Sequence, residues 1–274
     1  VMLIGIEGTN SYGAGLARFL TDAGVTIREV IRPKRAQRRR GKSDPLDAYA
    51  AAQQVLAEPD TLPIAKTSVG PVEQIRVLMA VRRSAMKARV AALRQLKALL
   101  ITAPDDLRAR WTHLDGDALI DALAMTRPGN AIDSVHTATG QALRRLARRH
   151  QTLTAEITEL DVELRSLTSR VAPAMLATKG YGTITTATLL ISAGDNPHRL
   201  RSEASFAALC GTAPIPASSG KTTRHRLNRG GDRQANWALH QIALVRLSTD
   251  PRTRTYAAKL RATGKTDKDI LRCL

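Results

Sequence analysis

The sequence predicts an α/β module followed by a longer, mainly helical remainder, an α/β plus α class of fold. Apolar runs at Val1–Ile6 and Val25–Ile31 flank a short helical pattern. Apolar residues then recur at steps of three and four from Leu143 to Val171, and Pro59, Pro63 and Pro71 separate the two regimes.

Val1 to Ile6 reads as a buried strand ending at Glu7-Gly8. Asn10-Ser11 supplies capping residues for a helix whose face is Leu16, Phe19 and Leu20 and which stops at Gly24. Val25 to Ile31 is the second strand, so the unit is β-α-β with parallel strands. A loop from Arg32 to Lys42 leads into a helix from Pro45 to about Leu56.

Beyond the proline-marked linker, Leu78, Val81, Ala85, Ala88, Ala92, Leu96 and Leu99 trace one helix. Leu143, Leu146, His150, Leu153, Ile157, Leu160, Leu164, Leu167 and Val171 trace a second, with the alternating steps of a coiled-coil seam. A hairpin within the chain and pairing between chains would both bury that seam. His150 reads as a tolerated polar residue of the seam rather than a ligand. Pro104, Pro128-Gly129 and a shorter helix around Ala118 to Met125 lie between. After Pro173, helices are expected over Ile184–Ile191, Ser202–Leu209 and Gln234–Leu247, with a Gly-, Ser- and Arg-rich loop from Ala213 to Gly231.

Charge narrows the partners. With 42 Lys and Arg against 24 Asp and Glu, the formal net charge is +18. Such a field attracts polyanions, nucleic acid first among them. Only 3% of the residues are aromatic, which disfavours a membrane-surface role. Cys210 and Cys273 stand far apart without a C-x-x-C, so neither a disulfide scaffold nor a zinc site is indicated. No apolar run reaches the length of a membrane span and no signal peptide opens the chain, a pattern expected of a cytosolic protein.

The most informative segment is Gly41-Lys42-Ser43-Asp44-Pro45-Leu46-Asp47-Ala48. Residues three apart on a helix share a face, so Asp44 and Asp47 can address one point. Glu7 ends the first strand, and open α/β sheets place their sites at the carboxyl ends of strands. Three such carboxylates suit a hard divalent cation. On spacing alone, Asp44 as an N-cap before Pro45, with Asp47 at the positive end of the helix, is the better reading. Gly8, Gly13 and Gly15 do not make a dinucleotide fingerprint, because Arg18 occupies the third glycine position.

Arg28, Arg32, Lys34, Arg35, Arg38, Arg39, Arg40 and Lys42 form a block offset only by Glu29, suited to gripping phosphates. Gly180-Tyr181-Gly182 fits a helix-hairpin-helix turn that offers backbone N–H groups to a phosphate, and fits an ordinary G-x-G turn equally well. Ser218-Ser219-Gly220-Lys221, followed by Arg224, Arg226 and Arg229, suits a flexible loop around a phosphodiester. A serine among cations can attack phosphorus, but no general base is evident, and phosphate binding is the simpler reading.

Together these segments resemble one family, the insertion-sequence transposases with a DEDD tetrad, guided by a bridge RNA. The resemblance rests on Gly5-Ile6-Glu7-Gly8-Thr9, Ser11-Tyr12-Gly13, Arg32-Pro33 and Gly41 to Ala48. In the C-terminal part it rests on Ala193-Gly194-Asp195, Phe206 to Gly211, and Ala217-Ser218-Ser219-Gly220 through Gly230-Gly231. It implies a truncated RuvC/RNase H-like α/β domain over 1–70, a helical coiled-coil region over 71–172 and a mainly α C-terminal transposase domain over 173–274. By the same resemblance, Glu7, Asp44 and Asp47 are the second, third and fourth tetrad members and would bind Mg²⁺. Ser219 is the best match to a serine nucleophile, with Ser218 close behind. Arg32, Arg35, Arg38, Arg39, Arg40, Lys42, Gly180, Gly182, Lys221, Arg224, Arg226 and Arg229 would contact nucleic acid. The implied partners are the element's DNA ends and target DNA, a guide RNA, and further copies in dimers or tetramers, in the bacterial cytoplasm at the nucleoid.

In RuvC-like folds the first tetrad aspartate lies on an earlier strand than any here, and three antiparallel strands come first. The expectation is therefore a fragment, with open strand edges and uncovered faces, that binds nucleic acid more readily than it recombines it. The rival class is a non-catalytic nucleic-acid-binding protein that uses its basic loops and a helical dimer.

Overall fold

The computed structural model describes residues 3–9, 11–30, 44–129, 132–196, 200, 202–218, 225–226, 228 and 230–274, with Asp44 described in its backbone only. Residues 1–75 and 168–274 form one compact unit, and residues 76–167 another.

In the first unit, β1 (Leu3–Glu7) and β2 (Thr26–Val30) run parallel, with α1 (Ala14–Asp22) connecting them. Glu7 belongs to the strand and pairs opposite Val30. Alternation along the strands splits their side chains between two faces. Ile4, Ile6 and Ile27 pack with Ala17 and Leu20 of α1. Leu3 and Val30 pack with Ala51 and Val55 of α2 (Asp44–Ala57). The expectation of bare faces is corrected, since a helix lies on each face. Of the edges, β1 pairs only with β2 among the described residues, while that of β2 is met by Leu62–Ile64. There Glu29 N–H donates to Pro63 O at 2.8 Å, and Arg28 bridges Ile64 antiparallel.

Two local expectations for α1 also change. Ser11 does not cap the helix; its hydroxyl and N–H both donate to Gly8 O, at 3.1 and 2.8 Å, in a tight turn where Gly8 has φ +68°. Leu16 and Phe19 face outward, 54% and 70% exposed, because the packed face is Ala17 and Leu20.

Within residues 76–167, α3 (Pro71–Ile101) and α6 (Val135–Val171) run antiparallel. Leu96 of α3 shares a core with Leu143 and Ala147 near the start of α6, and Arg82 donates two hydrogen bonds to Asp161 further along it. The seam is therefore a hairpin within the chain. Its α3 stripe is Met79, Ala85, Ala92 and Leu96, whereas Val81 is 46% exposed; a three-four pattern rich in alanine leaves the frame loosely specified. His150 titrates below the usual imidazole range because of burial and then Arg89, opposed by Asp117. It is a half-buried polar residue of the seam, as its sequence position suggests. Helices α4 (Asp105–Trp111) and α5 (Gly116–Met125) close the end of the hairpin through Leu107, Leu119, Ile120 and Leu123. Among the described residues no helix is long and apolar enough to cross a membrane.

The remaining elements of the first unit are α7 (Pro173–Ala177), α8 (Thr183–Ala193), α9 (Glu203–Leu209), β3 (Ile215–Pro216), β4 (His225–Arg226), α10 (Arg233–Thr249), α11 (Pro251–Ala262) and α12 (Asp267–Cys273). Helices α8 and α10 approach closely because Ala187, Ala235 and Ala238 are small and fully buried. Leu189, Cys210 and Ile242 complete this core. The proline-marked linker is bound to it. Asn196 Nδ2 donates to Ala65 O at 2.9 Å, Asn196 Oδ1 accepts from Thr67 N–H at 3.1 Å, and Asp195 Oδ1 accepts from Val72 N–H at 3.0 Å.

Gly5 sets the position of α2. A methyl group there would lie 2.5 Å from Val55 Cγ2, 2.8 Å from Val30 Cγ2 and 3.1 Å from Ala51 O, so the helix rests on the bare strand backbone. A Gly5→Ala substitution is expected to destabilise the protein by about 1–3 kcal/mol through overpacking. Thermal unfolding checks this; an unchanged Tm would mean that α2 is not seated on β1.

Candidate active site and nucleic-acid interface

The carboxylates come from two elements that touch. Glu7 is half-buried at the end of β1, and Asp47 is half-buried in the first turn of α2. Asp47 precedes Ala51, whose carbonyl oxygen meets Gly5, by one helical turn, and Glu7 follows Gly5 by two residues. At ~1.5 Å per helical residue and ~3.3 Å per strand residue, each lies within about 7 Å of that contact along its own element. The side chain of Asp44 lies outside the described residues. Among the described residues no group of three or more His, Cys, Asp or Glu is disposed to hold a metal ion. Beside Glu7, Thr9 is buried and its hydroxyl has no hydrogen-bond partner among the described residues, a feature the sequence did not signal.

The serine segment belongs to a hairpin. β3 and β4 pair antiparallel as its two arms, Ile215 with Arg226 and Pro216 with His225. Ser218 is exposed just beyond β3, and Arg226 is exposed on β4. Ser219, Gly220, Lys221, Arg224 and Arg229 lie outside the described residues, as do Arg32, Arg35, Arg38, Arg39, Arg40 and Lys42. The base of the hairpin is closed by two glycines. Gly211 has φ +66°, and a Cβ on Gly231 would stand 2.1 Å from Gly211 N. Asp232 N–H donates to Leu209 O at 2.7 Å, and Asn236 Nδ2 donates to Cys210 O at 3.0 Å, pinning the same junction.

Asp232 then caps α10. Its Oδ1 accepts from Gln234 N–H at 2.8 Å and Ala235 N–H at 3.2 Å, and its Oδ2 accepts from the Ser192 hydroxyl. Burial pushes this carboxyl's pKa up, but the bonds from Ser192, Gln234 and Ala235, with nearby Lys66, outweigh it and hold the pKa below the usual range. Burial, followed by the Asp232 charge, pushes the neighbouring Cys210 thiol up to about 11. The capping role of Asp232 is signalled in the sequence by an acidic residue between Gly231 and a helical run.

At Gly180-Tyr181-Gly182 the hydrogen bonds are those of a turn leading into a helix. Tyr181 N–H donates to Thr178 O at 3.2 Å, and Gly182 N–H donates to the Thr185 hydroxyl at 3.0 Å. Gly180 has φ +97° and packs over Arg246.

Comparison with known proteins gives this arrangement a family. Residues 1–103 match the DEDD-type transposase model of the IS110 group, and residues 172–258 match the transposase model of the IS116/IS110/IS902 family. The chain is 30% identical over 186 residues to the uncharacterized 42 kDa protein of insertion element IS900 from Mycobacterium paratuberculosis, covering 67% of this chain and 43% of that protein. It is also 30% identical over 156 residues to the uncharacterized 43.6 kDa protein of insertion element IS110 from Streptomyces coelicolor, covering 57% of this chain and 37% of that one. The chain thus spans less than half the length of the curated relatives it matches. With matches at both ends, it belongs to the IS110/IS116/IS902 transposases.

Replacing Asp232 by Ala should cost about 1 kcal/mol at neutral pH through loss of the cap. Its pKa is depressed in the folded state, so its stabilisation is complete above the ordinary carboxylate range and is lost as pH falls through the folded value. The Tm difference between Asp232→Ala and the parent should therefore narrow in acid. A difference that stays constant into strong acid would remove the ionic part of this account.

Proposed function

We propose that this chain acts on DNA as an insertion-sequence transposase, cutting and rejoining strands through carboxylate-held Mg²⁺ and a serine. The observation that carries this reading is the seating of α2 on Gly5, which brings the helix of Asp44 and Asp47 onto the strand of Glu7. The donor set fits the metal, since carboxylate oxygens are the hard ligands that Mg²⁺ takes. When bound, the metal would supply Lewis-acid polarisation of a phosphoryl oxygen.

Ser219, or its neighbour Ser218, attacks phosphorus through Oγ. The Oγ–P bond forms as the P–O bond to the adjoining deoxyribose breaks; the hydroxyl proton leaves Oγ, and the departing sugar oxygen takes up a proton. The break is held as a phosphoserine, and the reverse exchange rejoins DNA. Lys221, Arg224, Arg226 and Arg229 offset the charge that gathers on the phosphate, and the block from Arg32 to Lys42 adds salt-dependent grip. The family resemblance extends the reading to a guide RNA and to assembly as dimers or tetramers.

A DNA substrate that traps covalent intermediates tests this. A protein–DNA adduct is expected in Mg²⁺, reduced at least about a hundredfold by Glu7→Gln, Asp47→Asn and the nucleophile's own Ser→Ala variant, with DNA binding retained. Persistence of the adduct in a Ser218→Ala/Ser219→Ala double variant would end the serine reading. DNA binding with no adduct under any metal condition would favour the non-catalytic rival.

A further inference from the structure

Beside the serine hairpin lies a groove of about 750 Å³. Its floor is apolar, built from Tyr181, Leu239 and Leu271, and its rim carries Arg226 and His225 from β4, His240 from α10 and Lys268 from α12. The side chains of these four rim residues make no hydrogen bond or ion pair among the described residues. Arg246 and Arg272 also line the groove, but their charge is taken up by Asp250 and Asp269. Glu203 is the one carboxylate side chain in the lining among the described residues.

This combination is selective. A site for phosphate alone has no use for an apolar floor, and a site for an apolar ligand has no use for unpaired cations. A nucleotide needs both, a flat face for the base and positive charge for the phosphate. The volume lies in the range of a small-molecule site, and a duplex about 20 Å across cannot enter one. We propose that this groove holds one unpaired nucleotide of a nucleic-acid strand, its base over Leu239 and Leu271 and its phosphate between Arg226 and Lys268. The proposal rests on the reading of the chain as a DNA-handling protein. It adds that the strand reaches the serine hairpin locally unpaired.

Cys273 provides a native reporter, since it lines the groove and is exposed. Cys210 is buried, with its thiol pushed up to about 11, so alkylation near neutral pH reads Cys273 alone. The intact chain is treated with iodoacetamide in the presence of oligothymidylate, a duplex with one bulged nucleotide, a blunt duplex of equal length, or inorganic phosphate. The single strand and the bulged duplex are expected to slow alkylation of Cys273 about tenfold or more. The blunt duplex, at equal measured occupancy, and phosphate should leave it unchanged. Arg226→Gln and Lys268→Gln should each abolish protection without moving Tm. Equal protection by the blunt duplex, protection by phosphate alone, or no protection by the single strand would each overturn the proposal. Absence of protection in the parent chain, with a covalent DNA adduct still formed, refutes only the groove. Protection without any adduct refutes strand transfer and leaves a nucleotide-binding groove.

Discussion

Backbone meeting backbone, with no Cβ between, is the constraint on which both halves of the candidate site depend. Gly5 lets α2 lie on β1, and Gly231 lets the end of the serine hairpin touch Gly211. Gly13 does the same for α1, since a Cβ there would stand 2.8 Å from Glu7 O. Glycine inside a strand or loop costs roughly 0.5–1 kcal/mol of extra chain entropy, so a sequence keeps it only where contact returns more. Here the return is positional. The helix bearing Asp47 and the hairpin bearing Ser218 are each held by a contact that a single methyl group would wedge open.

Electrostatics works in the opposite direction, leaving charge unspent. The ion pairs of the helical C-terminal part are short-range and surface-lying: Arg246 with Asp250, Arg261 with Asp267, Arg272 with Asp269. Pairs of this kind contribute little to stability, because solvent screens them. They engage acids against arginines nearby in sequence and leave the net excess of +18 uncompensated. A fold carrying that excess repels itself, and its compact state is favoured further when a polyanion binds. Arg226 and Lys268 line the groove without a hydrogen bond or ion pair among the described residues, and there such a polyanion gains most.

The periodic parts of the fold were legible in sequence. The parallel β-α-β unit, the long helix ending at Val171 and the helices around Ile184–Ile191 and Gln234–Leu247 follow from apolar spacing, which local sequence states directly. The facing of α1 was not legible, because Leu16 and Phe19 look like core residues until Gly13 brings the helix start so near the strand that alanine must face the sheet. The frame of α3 was lost for a related reason, since Ala85, Ala88 and Ala92 give weak preference to any face. At the candidate site, Glu7 and Asp47 are expectations read from their own segments. The closure of Gly211 on Gly231 and the bond from Ser192 to Asp232 are not legible there, because they join residues whose proximity only the folded chain supplies.

The same limit explains Ala193-Gly194-Asp195, a segment that resembles the family and bears no evident chemistry. Gly194, at φ +86°, ends α8 and turns the chain so that Asp195 and Asn196 face the linker. Gly70 on that linker must also lack a side chain, since a Cβ there would stand 2.5 Å from Asp195 Oδ1. Lys66 Nζ donates to Ile191 O at 2.6 Å, and its charge also helps to keep Asp232 ionised. Ser192, between these partners, donates to Asp232, the residue that ends the serine hairpin and starts α10. One polar cluster thus anchors both the strand that leaves the carboxylate module and the downstream foot of the hairpin. Displacing either end would require Asp232 to give up hydrogen bonds in a half-buried setting, where an unpaired charge is costly. The segment therefore acts by holding two pieces of chain in register.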